Sequence, residues 1–416
     1  MPEVGIYKRR GLEIWLETAE DNIELKSSGA LSKLAFPLLK RVNKMLRNEK
    51  PIEATEEEVV LSTWLPPIPS EPFQRAIKAE MDILLKRKFS PQAVSMNISD
   101  CTLNCSECNI VEHEGELKTK EVKDFIAQIQ DLGAITIGFA EGDPLLREDL
   151  FELIDYIDKK KSIASVFTPG PLLTDEVAAE LKEHGIYAVI TGIKSPIPRE
   201  HDAARGLKGA FDKAVRGMKN AVENDLYVSM HTHATPKLVE SGELTKIYKL
   251  ASKIGVHELS IWDSHPTWSY KDRKELILKD RHRGEIMELY RKANTSKEGP
   301  RIFYNAVFES PKLFGCMAGR RWLNLIHSGD LTPCTYVPIS FGNIREESVE
   351  RIWRRMRQFK EFRRKRSCVM LDKEFRSKCI DPFSVSDLPI SYKDVVLAEN
   401  QRFSGCQKPP NGFQLI

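Results

Sequence analysis

Cys101-Thr-Leu-Asn-Cys105-Ser-Glu-Cys108 puts three cysteines into eight consecutive residues. They follow Ala93-Val-Ser-Met-Asn-Ile-Ser99, whose alternation and β-branching read as a strand. The cysteines therefore sit on the loop leaving the strand's C-terminal end, where α/β sheets build their sites. Thiolates at spacings C-x3-C-x2-C can wrap one face of a metal centre and leave a coordination position without cysteine. Structural zinc requires four closed ligands. A cubane iron–sulfur cluster held by three cysteines keeps one iron open to another ligand. Spacing alone leaves both readings standing, the zinc one requiring completion from elsewhere in the chain.

Outward from the cysteines, strand, loop and helix patterns repeat. Strands are expected at 93–99, 134–139, 163–167, 187–191, 227–233 and 257–262. Helices are expected near 119–131, 148–160, 174–184, 209–223 and 241–254, with Gly133, Gly185 and Gly255 as C′ residues. Such β/α units imply a parallel sheet with right-handed crossovers.

The first 65 residues differ. Leu12–Leu16 and Ile23–Leu25 read as a hairpin. Leu31, Leu34, Ala35, Leu38, Leu39, Val42, Met45 and Leu46 fall on one helical face, opposite Lys33, Lys40, Arg41 and Lys44. This helix either docks on the barrel or lies on a membrane surface. The proline-rich run 65–72 is a stiff connection, followed by a helix to about residue 86.

Composition narrows the class. The 63 Lys and Arg against 60 Asp and Glu give +3, so no basic field exists for bulk nucleic-acid binding. A hydrophobic share of 41% supports a real core. No apolar run is long enough to span a bilayer, and no signal peptide is visible at the N-terminus. Eight cysteines in such a chain point to metal or catalysis rather than disulfides, and to a cytoplasmic location.

Four stretches resemble the radical S-adenosylmethionine (radical SAM) superfamily: the cysteine motif, Gly138-Phe-Ala-Glu-Gly-Asp-Pro144, Phe167-Thr-Pro-Gly-Pro-Leu-Leu-Thr174, and His201-Asp-Ala-Ala-Arg-Gly206 with Gly209-Ala-Phe211. The resemblance implies an α/β fold, a partial (β/α)6 TIM-type barrel. A mostly helical extension (1–88) would precede the barrel (89–300). It further implies that Cys101, Cys105 and Cys108 hold a 4Fe–4S cluster whose open iron chelates SAM. Asp143 and Arg205 would then contact SAM, within a cradle shaped by Gly142, Thr168 and Gly170. The chain departs from the family at Glu107 (usually aromatic), Glu141 (usually glycine), Asp143 (usually Glu), Pro169 (usually Asn), Gly192 (usually Ser) and Lys194 (usually Asp).

Alternation on the fifth strand puts Ser229, His231 and His233 on one face, toward a barrel lumen. With Trp262 and Asp263 at the end of the sixth strand, His233 is a candidate contact to substrate.

Cys316 to Cys334 reads as a hairpin turning at Ser328-Gly-Asp330. With the helix after it, the segment resembles the SPASM/twitch extension of radical SAM enzymes, expected over 301–416. Too few cysteines remain for two clusters. The resemblance therefore implies a single auxiliary 4Fe–4S cluster on Cys316, Cys334, Cys379 and Cys368, the last preferred to Cys406 because it is nearer in sequence.

The expected function is reductive cleavage of SAM to a 5′-deoxyadenosyl radical, with hydrogen abstraction from an unactivated carbon. The amphipathic segment 31–46 and the basic run 351–366 suggest a lipid-like substrate at a membrane surface, modified or joined through a C–C bond. A ferredoxin or flavodoxin would be the electron donor. A peptide maturase, and a non-catalytic iron–sulfur electron carrier or scaffold, are the alternative readings.

Overall fold

In the computed structural model the chain is described at residues 3–9, 11–19, 22–46, 49–55, 57–85, 87–105, 108, 117–363 and 366–404. Glu107 and Cys406 lie outside these residues.

The N-terminal extension opens with an antiparallel sheet, Glu3–Arg9 (β1), Leu12–Ala19 (β2) and Asn22–Ser28 (β3). The expected hairpin is thus its second and third strands, and the extension carries more strand than the sequence pattern suggests. Helix Ser32–Leu46 (α1) packs on this sheet through Ala35, Leu38, Leu39 and Leu46. Its first turns leave Leu31, Leu34 and Phe36 43, 49 and 61% exposed. Two short strands, Glu53–Ala54 (β4) and Val59–Val60 (β5), then lead to helix Glu71–Leu84 (α2), capped by Ser70 and burying Phe73, Ile77 and Met81.

The barrel follows as β6 (Ala93–Asn97), α3 (Thr119–Leu132), β7 (Thr136–Phe139), α4 (Leu150–Tyr156), β8 (Ile163–Thr168), α5 (Asp175–Glu183), β9 (Ala188–Gly192), α6 (Pro198–Arg205), α7 (Ala210–Glu223), β10 (Tyr227–Ala234), α8 (Pro236–Glu240), α9 (Glu243–Ile254), β11 (Glu258–Asp263) and α10 (Asp280–Thr295). Six parallel strands stand in chain order, each within a few residues of its expected place. Their side chains are buried on both faces because helices cover one side and the lumen fills the other.

The sheet continues on both edges. Arg301–Tyr304 (β12), which leads into the single turn Asn305–Phe308 (α11), pairs parallel to β11, and Trp322–Ile326 (β13) pairs parallel to β6. Leu331–Thr332 (β14) closes the expected hairpin on β13. A boundary at residue 300 is therefore not a boundary of the sheet. Such edge pairing is set by long-range contacts that the local pattern does not carry. The C-terminal segment adds Ile339–Ser340 (β15), Val349–Gln358 (α12), Lys360–Arg363 (α13), Lys373–Cys379 (α14), Ile390–Ser391 (β16) and Tyr392–Ser404 (α15). Among the described residues no helix is long and apolar enough to cross a membrane.

The extension is locked to the N-terminal mouth of the barrel. Ser62 Oγ and Thr63 Oγ1 donate to the Glu258 carboxylate at 2.7 and 2.6 Å. Arg301 bridges Glu258 (2.5 Å) and Glu49, whose carboxylate also accepts from Tyr290 and Asn294. Trp64 Nε1 donates to Ser260 Oγ at 2.8 Å. Every charge in this dry cluster has an opposite partner, as burial demands.

Candidate active site

At the opposite mouth a cavity of about 190 Å3 collects residues from β10 and from the ends of β8 and β9, and from the loops after β6, β7, β8 and β9. All three thiols of the cysteine motif line it. Arg205, the last residue of α6, directs Nη1 to Cys105 Sγ (3.7 Å) and Nη2 to the Gly192 carbonyl (2.6 Å). A Cβ at residue 192 would stand 2.6 Å from Nη2, so glycine in place of the family's serine is what lets the guanidinium reach the strand. Gly206 follows with φ 66, and a Cβ there would collide with the Asn104 carbonyl. The cysteine loop and α6 are therefore in backbone contact.

The other residues of that motif act on geometry. Asp202 accepts from the amides of Gly209 and Phe211 (2.6 and 2.8 Å), holding the entry to α7. His201, fully buried and neutral because burial lowers its pKa to about 4, accepts from the amide of Lys194 (3.1 Å). Lys194 itself lines the cavity.

Asp143 sits beyond β7, where Thr168 Oγ1 donates to it at 2.9 Å and the Leu145 amide at 3.3 Å. Burial raises its pKa to about 6 against these hydrogen bonds. The same Thr168 oxygen accepts from the Gly170 amide, tying the second and third loops together. Gly142 (φ 74) lies so close to the Ser99 carbonyl that no side chain fits. Glu141 has φ 53, a left-handed conformation that accounts for the family's glycine at this position. Glu141 lines the cavity half-buried, and burial raises its pKa to about 8.

His231 and His233 both line the cavity, so alternation on the fifth strand placed them correctly. Burial lowers the pKa of both, to about 3 for His231, and keeps the rings neutral. His233 Nε2 lies 3.1 Å from the hydroxyl of Tyr336, two residues beyond Cys334. Trp262 and Asp263 stand elsewhere. Trp262 packs against Trp64, Phe303, Trp322 and Tyr336 and borders a separate apolar cavity. Asp263 is held by Arg283 Nε and the Tyr304 hydroxyl, both at 2.8 Å. Its partners come from α10 and β12, distant in sequence, which is why its neighbourhood to Trp262 misled. Tyr270, also unforeseen, reaches the cavity from the loop after β11, where Ser269 Oγ donates to the Cys108 carbonyl at 2.6 Å.

Of the second cysteine group, Cys316, Cys334 and Cys368 lie near one another behind Tyr336. Cys316 and Cys368 share a hydrogen bond, which lowers the pKa of Cys316 to about 7 and raises that of Cys368. Cys334 is buried within electrostatic range of both, and Cys379 is buried at the end of α14. Trp268 Nε1 donates to the Thr335 carbonyl at 2.6 Å, fastening the loop after β11 to this hairpin. Both groups fit iron–sulfur chemistry: each offers soft thiolate donors, the first beside a cation and an open cavity, the second buried among apolar side chains.

Residues 98–251 match the radical SAM superfamily, and residues 316–379, from the first cysteine of the second group to the last, match an iron–sulfur cluster-binding domain of the SPASM type. An AdoMet-dependent heme synthase of Nitratidesulfovibrio vulgaris is 28% identical over 306 residues, 67% of this chain and 81% of the relative. A PqqA peptide cyclase of Rhizobium meliloti is 26% identical, over 68% of this chain and 79% of the relative. Among solved structures, Streptococcus suis SuiB bound to its precursor peptide SuiA shares the fold, with a TM-score of 0.54 at 13% identity over 84% of this chain and 88% of SuiB. The chain belongs to the radical SAM superfamily and carries a SPASM-type C-terminal domain. It is accordingly an enzyme whose cofactors are a SAM-binding 4Fe–4S cluster, an auxiliary 4Fe–4S cluster and SAM.

Proposed function

We propose that this enzyme abstracts a hydrogen atom from an unactivated carbon of a hydrophobic, lipid-like substrate, to modify it or to join it through a C–C bond. Cys101, Cys105 and Cys108 hold the SAM cluster. A reduced 4Fe–4S cluster held there would supply the electron for reductive cleavage of SAM. The Asp143 carboxylate accepts from the SAM ammonium while Thr168 holds its orientation. Arg205 meets the SAM carboxylate, already aligned by the Gly192 carbonyl. Gly142 and Gly170 leave the backbone close to SAM. Neutral His231 and His233 face the substrate, where they can accept or donate a hydrogen bond without adding charge. Phe167, Pro169, Ile190 and Ile193 keep the reacting carbon away from water.

Cys316, Cys334, Cys368 and Cys379 hold the auxiliary cluster, and the His233–Tyr336 contact joins its hairpin to the reacting pocket. Trp262 acts as a wall, and Asp263 as a structural anion rather than a catalytic group. A ferredoxin or flavodoxin supplies the electron in the cytoplasm.

The observation that carries the lipid reading is the start of α1, where Leu31, Leu34 and Phe36 stay exposed near Lys33 and Lys40. An apolar rim among cations suits the surface of an anionic membrane. The basic segment contributes less, because Arg354 and Arg355 are paired with Glu350 and Glu347. Flotation with anionic liposomes tests the reading: the full chain should float and a chain with Leu34→Glu and Phe36→Glu should not. Absence of binding by the full chain would sink it.

Lys194 in the cavity wall favours a second reading, a carboxylate-bearing substrate such as the tetrapyrroles or peptides that the relatives' names suggest. Formation of 5′-deoxyadenosine above the uncoupled rate with a porphyrin or peptide, and not with lipid, would decide for it.

A further inference from the structure

Below the SAM pocket lies a second cavity, of about 220 Å3. An apolar cavity of roughly 150 Å3 already admits a benzene ring. Barrel lumens of this family of architectures are ordinarily filled by side chains. Here the space remains open between the sheet, represented by Phe303 and Trp322, and the extension, represented by Leu38, Val42 and Leu46 of α1 and Ala76 of α2. Its charged wall residues are spent on one another. Arg301 pairs with Glu49, and Arg321 pairs bidentately with Glu80 at 2.7 and 2.8 Å. Burial raises the pKa of Glu309, which is bonded to Asn305. The lining is therefore predominantly hydrocarbon, with its charged side chains bonded to neighbouring groups.

Its inner end is an aromatic partition. Trp64 and Trp262 stand 5.3 Å apart, centroid to centroid. Trp64 touches Phe167 (5.5 Å) and Trp262 faces His231 (6.1 Å), and both of those residues line the SAM pocket. On the outer side Leu38 lies one turn beyond the exposed Leu34 on the same face of α1, so the cavity wall continues toward the start of that helix.

We infer that this cavity is a binding site for a hydrocarbon chain, entered alongside α1, with Trp64 and Trp262 separating the chain from the SAM pocket. The inference rests on the lipid-substrate reading and gives one chain of that substrate a place outside the reacting pocket. The apolar lining selects a hydrocarbon chain over a peptide.

Titration of the full-length, anaerobically reconstituted protein with cis-parinaric acid tests it. The expected result is saturable fluorescence, with energy transfer from tryptophan, because Trp64, Trp262 and Trp322 line the site. Ala76→Phe and Val42→Phe each place a ring in the cavity and should weaken binding roughly tenfold or more. Circular dichroism melting establishes that each variant is folded. Absence of saturable binding, absence of energy transfer in the unaltered chain, or unchanged affinity in a folded filled variant would each overturn the site. Lipid conversion unimpaired by Ala76→Phe would overturn the site and leave the substrate reading intact. Variant-sensitive parinarate binding without liposome flotation or lipid product would do the reverse.

Discussion

At the N-terminal mouth of the barrel, Glu49, Glu258 and Arg301 are dry yet fully paired, with Ser62, Thr63, Tyr290 and Asn294 taking up their remaining valences. At the C-terminal mouth, buried side-chain atoms of Asn97, Ser99, Thr191, His231 (Nδ1) and Arg205 (Nε) have no hydrogen-bond partner among the described residues. The same sheet thus ends in two chemistries. A satisfied polar cluster fixes the extension to the barrel. An unsatisfied one carries a desolvation cost that bound ligand can relieve. Stability is concentrated at the first end and reactivity at the second.

The largest expected effect tests the reactive end. Replacing Cys101, Cys105 and Cys108 together by Ala should abolish 5′-deoxyadenosine formation and remove the iron of one 4Fe–4S cluster, measured by product chromatography and iron analysis. Retained activity would break the assignment of this mouth.

Next comes the structural end. Arg301→Met leaves Glu49 and Glu258 buried without their cation and should cost about 3–5 kcal/mol in urea unfolding. Should the folded variant instead lose SAM affinity at unchanged stability, the division between the mouths fails.

A smaller effect concerns Asp143. Asp143→Asn should weaken SAM binding about tenfold or more, the range of a charge-assisted hydrogen bond. Its carboxyl, with pKa raised to about 6, is ionised above that pH and protonated below it. In the unaltered enzyme SAM affinity should therefore fall as pH drops through about 6, measured by isothermal titration, and this dependence should flatten in the variant.

A further effect is on the pH dependence of stability. The Glu141 carboxyl has its pKa raised from 4.5 to about 8, so the folded chain holds that proton more tightly than the unfolded chain does. Stability is lost as pH rises between these values. Glu141→Gln should reduce that loss, read as a shallower fall of melting temperature from pH 5 to pH 8. Identical slopes would show that the carboxyl is not isolated in the cavity.

The barrel's six central strands, the cysteine loop and the glycine turns were legible because each is written in adjacent residues: period-two burial, C′ glycines, a short thiol spacing. The positions of His231 and His233 followed from alternation alone. Asp263 was misread because Arg283 and Tyr304 come from elements not yet formed when the sixth strand is considered by itself. The pairing of β12 and β13 onto the sheet edges escaped for the same reason.

The sequence by itself determined the donors, the thiolates of Cys101, Cys105 and Cys108 and of the 316–379 segment, and hence the kind of cofactor chemistry. Only the tertiary structure decided which groups face them. It brought Arg205 onto Cys105 across a hundred residues, set Cys368 against Cys316, and joined the two centres through His233 and Tyr336. It also left the apolar space beneath Trp64 and Trp262 unfilled. Thiol spacing is a local covalent property of the chain, whereas partnership and empty volume arise only when distant elements pack.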